Sequence, residues 1–156
     1  MYQATLFLHL AAAIIWMGGM TCLLFALRPA TLAVMETKPR ALLMAEVWQR
    51  FFNIVLACVV VLFASGTNLY TTGFRAAKAA TGAGSVALGW NLMLVLGLVM
   101  FLIFGHIYFA GLKKFKRAVQ AGEFPLAALV AARIHTMVVA NFVLGWVAIV
   151  CVKLLR

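Results

Sequence analysis

Three histidines, His9, His106 and His135, are the side chains best suited to bind a metal or carry a proton, and all three fall inside long apolar stretches. A polar group in such a stretch is costly, so each one is a candidate functional residue. Asn53, Ser65, Asn68, Asn91, Arg133, Thr136 and Asn141 join them. No Asp or Glu lies in these stretches. That argues against a carboxylate proton relay and against an oxygen-ligated hard metal ion. The chemistry on offer is nitrogen ligation: neutral imidazole suits iron and copper, and serves as an axial ligand in haem proteins.

The elements that must carry these groups follow from composition. The 156 residues are 67% hydrophobic and only 10% charged, where a water-soluble domain runs near about 25% charged. A bilayer-spanning helix needs about 20 mostly apolar residues. Four such stretches occur, at about 2–27, 51–72, 88–112 and 126–154. The first has no basic residues before it and is too long for a secretory leader, which predicts a retained helix. The expected fold class is all-α: an integral membrane four-helix up-down-up-down bundle, one domain over 1–156. Between the spans we expect a short amphipathic helix over 40–49 and a loop over 71–89. The run Lys113–Lys114–Phe115–Lys116–Arg117 is expected to end the third helix, with Gly122–Glu123–Phe124–Pro125 restarting the chain.

The net charge of +10 suggests nucleic-acid binding at first sight, but that requires a basic face on a water-exposed surface. Here the cations cluster at span ends. Arg28, Lys38, Arg40, Arg50, Lys113, Lys114, Lys116, Arg117 and Arg133 flank the first and third connections. Arg75, Lys78, Lys153 and Arg156 flank the second connection and the C-terminus. The positive-inside rule then puts both termini on the periplasmic side of a bacterial inner (cytoplasmic) membrane. Cys22, Cys58 and Cys151 lie in apolar segments without metal-ligand or disulfide spacing, and read as small buried hydrophobes.

With span directions assigned, depth can be counted. His106 precedes Lys113 by seven residues and His135 follows Leu126 by nine, so both sit about 10–13 Å from the basic end on antiparallel neighbours. His9 lies near the other end, about 15 Å away in height. Two imidazoles at one depth suit the axial positions of a b-type haem, with Arg50, Arg133 and Lys113 near its propionates. Interhelical hydrogen bonding is the alternative for this pair. On the first helix Trp16 and Met20 share the face of His9. Asn68 and Asn91 should reach its level, Asn68 on a stripe with Asn53. That cluster reads as a substrate or quinone site, a second haem or metal site, or a copper site with Met ligands such as Met93; a structural, hydrogen-bonded His9 is the equal alternative.

The opening segment Leu8-His9-Leu10-Ala11-Ala12-Ala13-Ile14-Ile15-Trp16-Met17-Gly18-Gly19 resembles the first helix of small membrane proteins of the copper-resistance D type. It is also similar to the related haem-containing protoporphyrinogen oxidases of bacteria. Their pattern is His, then Trp and Gly, then an Arg-Pro exit, here Arg28-Pro29. Gly105-His106 before a basic run looks like the second family histidine, and Arg133-Ile134 and Val152-Lys153 look like the Arg and Lys bracketing the last helix. The chain carries Asn91 where the oxidases carry Lys, and His135-Thr136-Met137-Val138 where they carry Asn-Glu-x-Pro. Residues and resemblance together lead us to expect a membrane haem protein for electron transfer or small-molecule oxidation; a quinone or another redox protein is the expected partner, and a homo-oligomer is a further expectation. A copper-handling membrane protein and a non-catalytic subunit of a larger membrane complex are the alternatives.

Overall fold

The computed structural model describes residues 2–82 and 86–155. Among these residues the chain forms four rods, each long and apolar enough to cross a membrane. They are α1 Tyr2–Val34, α2 Thr37–Thr81, α3 Leu88–Gln120 and α4 Phe124–Leu154. The protein is a multi-pass membrane protein with an all-α four-helix bundle. At 33 residues, α1 and α3 run to about 50 Å each, well beyond a hydrocarbon core of about 30 Å.

The rods outrun the expected spans, for local reasons. Arg28-Pro29 is not an exit. At Leu23–Leu27 the helix widens into a π turn, where the Arg28 N–H bonds the Leu23 carbonyl. Pro29 then falls in the first turn of the next α segment, where its missing N–H costs nothing. The rod stops only where Met35 turns extended. The expected 40–49 helix exists as the first turns of α2, continuous with the second span. The expected 71–89 loop is helical as far as Thr81, and Gly82, at φ 72°, terminates it; residues 83–85 lie outside the described residues. The basic run does not end α3 either. A second π turn, Ile107–Gly111, leads into Leu112–Gln120, whose Leu112, Phe115, Ala118 and Val119 are buried. That apolar face holds the segment on the bundle. Gly122, at φ 73°, then reverses the chain.

Rods α1 and α2 pack together, as do α3 and α4. Aromatic side chains join the two pairs. Trp16 stacks on Phe101 and meets Phe104 edge-on, with both centroid distances 6.0 Å. Phe52 reaches Phe104 at 6.1 Å, and Trp48 reaches Phe115 at 4.8 Å. This filling is concentrated in the middle and basic half. In the other half of α3, Leu94, Val95 and Leu98 are exposed, and a side chain added at Gly97 would meet open space.

Candidate functional site

His9 is buried between α1 and α2, and its Nδ1 lies 2.9 Å from Ser65 Oγ. The Ser65 hydroxyl has one proton, and it is donated to the Val61 carbonyl at 2.5 Å. The oxygen must therefore accept from His9 Nδ1–H. In the neutral imidazole this puts the proton on Nδ1 and leaves Nε2 with a bare lone pair. Nε2 makes no hydrogen bond among the described residues. An imidazole held by its second nitrogen, with the first free, is the arrangement of a metal-ligating histidine. The ring packs against Gly66: a Cβ there would stand 3.4 Å from His9 Cε1, in ordinary contact.

Ser65 falls on the buried stripe of α2, with Phe52, Val55, Cys58, Leu62 and Leu69. The polar stripe that includes Asn53 and Asn68 points outward instead. The spacing of Ser65 from Leu62, Cys58 and Val55 could have revealed this.

The other two histidines share a depth but not a direction. Gly111 packs toward Ile134, and Asn141 Nδ2 donates to the Met100 carbonyl at 3.3 Å. That register sets His106 opposite Met137, about 3 Å in height from His135. His106 is exposed, while its neighbours Phe104 and Ile107 are core residues. It therefore faces away from the bundle. His135 is half-buried and lines a crevice with Arg28, Met44 and Trp48, on the side of α1 and α2. The crevice measures about 20 Å³, room for one water. Between the two histidines, Phe104, Ile107 and Ile134 are at most 3% exposed. A macrocycle clamped between His106 and His135 does not fit this packing.

The remaining candidates separate in the same way. Trp16 is 4% exposed and lies below His9 on the same inward face of α1. Asn91 is exposed at the end of the bundle nearer His9, and its Oδ1 accepts from Tyr70 O–H at 2.7 Å. Arg133 is exposed. Arg50 is exposed too and stands 3.8 Å from Glu46. Arg50 is about 22 Å along α2 from Ser65, so propionates of a group held by His9 would not reach it. Asn141, 2% exposed, leaves its Oδ1 with no partner among the described residues.

His9 offers one oriented ring nitrogen, held through Ser65 and packed against Gly66. Comparisons with protein-family models, curated proteins and solved structures found no match.

Proposed function

We propose that this protein binds a b-type haem through His9 in the bacterial inner membrane, and serves electron transfer or small-molecule oxidation. The observation that carries the reading is the His9–Ser65 contact at 2.9 Å, which leaves Nε2 free. A bare metal ion usually needs three or more protein ligands. Among the described residues no group of three His, Cys, Asp or Glu is arranged to hold one. A haem brings four nitrogens of its own and asks the protein for only one or two. That favours haem over an ion held by those side chains alone.

In this reading His9 would hold the haem iron through its free ring nitrogen, Ser65 would orient the ring, and Gly66 lets the ring lie close against α2. Bound there, the haem would supply one-electron redox chemistry. Tyr70 and Asn91, linked to each other at the same end, would offer hydrogen bonds to a quinone or another redox partner. The basic residues at the far end would face the cytoplasm, which leaves His9 and both termini on the periplasmic side.

The visible spectrum of the purified protein tests this. Soret and α bands are expected after dithionite, retained in His106→Ala and His135→Ala and lost in His9→Ala. A colourless preparation from haem-replete cells, or bands unchanged in His9→Ala, would overturn the proposal. Stoichiometric copper without haem would favour the copper alternative.

A further inference from the structure

At the basic end a cleft of about 270 Å³ opens between α2 and α3. Lys113, Lys116, Arg117 and Gln120 form its wall on α3, with Gln49 opposite and Tyr108 on the membrane side. Steps of three and four residues put these cations on one strip of the helix. The strip is rigid, because Leu112, Phe115, Ala118 and Val119 of the same segment are buried in the bundle.

A hydrogen-bond chain shapes the cleft. Lys116 Nζ donates to Gln49 Oε1 at 3.1 Å, and Gln49 Nε2 donates to Asn53 Oδ1 at 3.0 Å. Tyr108 O–H donates to the same Asn53 oxygen at 2.9 Å. Lys116 is thereby fixed at the rim, while Lys113 and Arg117 stay exposed. Among the described residues no carboxylate lines the cleft. The ion pair found among the described residues, Arg50 with Glu46, lies outside it.

Three cations thus converge, without a counter-charge, where the apolar run of α3 meets its basic segment. That is headgroup depth, and the anion abundant there is a phosphodiester. A basic pocket between helices at this level matches anionic-lipid headgroups in charge and size. Arg117 can grip two phosphate oxygens at once, and the lysines act as point charges. We infer that this cleft binds the phosphodiester headgroup of an anionic phospholipid through Lys113, Lys116 and Arg117. The site is independent of any haem at His9, which lies toward the opposite end of the bundle.

The test uses the full chain, delipidated in neutral detergent and titrated with phosphatidylglycerol, phosphatidylcholine or inorganic phosphate. Melting temperature and lipid retained in native mass spectrometry are the readouts. Phosphatidylglycerol should raise the melting temperature and remain bound, and the other two should do neither. Each charge removed should weaken retention roughly fivefold. The triple variant Lys113→Gln/Lys116→Gln/Arg117→Gln should therefore lose the effect. Lys116→Arg and Lys114→Gln should keep it, the latter because Lys114 is exposed but outside the cleft. A melting temperature for the triple variant in phosphatidylcholine equal to that of the unaltered protein would show that it folds. If the folded triple variant still retains phosphatidylglycerol, the inference fails. An equal shift from inorganic phosphate would identify a free-phosphate site and reject the lipid, and an equal shift from phosphatidylcholine would reject the charge.

Discussion

His9 of α1 and Ser65 of α2 meet inside the bundle at 2.9 Å, and the serine hands its own proton to the Val61 carbonyl at 2.5 Å. The direction of the bond is therefore set, and the free nitrogen of His9 is Nε2. The pair ties the two rods together through a polar contact.

Ser65→Ala should leave Nδ1–H without a partner and let the ring turn. Interhelical hydrogen bonds in membranes average about 0.6 kcal/mol, so the stability loss should be small. The loss in ligand affinity should be larger, about 10–100-fold, as for other groups that orient a ligating histidine. Haem titration beside thermal unfolding separates the two effects. Equal affinity in the variant would remove Ser65 from the site.

Gly66→Ala should be tolerated, because its Cβ would stand in ordinary contact, 3.4 Å from His9 Cε1. Gly66→Leu should displace the imidazole and abolish the Soret band of the bound haem while the protein stays folded. Circular dichroism and the visible spectrum read these out together.

Trp16→Ala should destabilise the bundle by about 3–5 kcal/mol, as for other buried Trp truncations. Its ring touches both Phe101 and Phe104, so the loss weakens the joint between the two helix pairs. Trp16→Phe should recover most of it. Unfolding in mixed micelles measures both.

Asn141→Leu should be close to neutral. It gives up the 3.3 Å bond to the Met100 carbonyl, about 0.6 kcal/mol at membrane depth. It also removes a buried oxygen that has no partner, which is itself unfavourable. A loss above about 2 kcal/mol in the same unfolding assay would mean that Oδ1 does have a role.

Gly89→Val should pry the ends of α3 and α4 apart. A Cβ at 89 would stand 2.5 Å from the Cys151 carbonyl oxygen and 2.7 Å from that of Leu155. Both obstacles are backbone, and the Gly89 N–H also bonds the Leu155 oxygen at 2.9 Å. Overpacking of this kind costs about 1–3 kcal/mol. A cysteine pair placed across the two helix ends should cross-link more slowly in the variant.

Four spans, their order and their basic end were legible in the sequence, because length and charge are carried by single residues. Depth was legible too, since height accumulates at about 1.5 Å per residue. Counting from the charged end puts His106 and His135 near one level and His9 far from both. The helix ends were less legible. Pro29 and the Lys113–Arg117 run look like stops, yet the π turns before them and the buried face of Leu112–Gln120 let the rods continue.

What only the tertiary structure decided is direction around each helix. In water an apolar stripe marks the inner face. In a bilayer the outer face is apolar as well, because lipid tails are as apolar as a leucine core. The residues beside His106 therefore do not reveal that it faces outward, and those beside His9 do not reveal that it faces Ser65. Packing against the neighbouring helices makes that choice, through Trp16 between the helix pairs and through small residues such as Gly66 and Gly89 where chains approach closely.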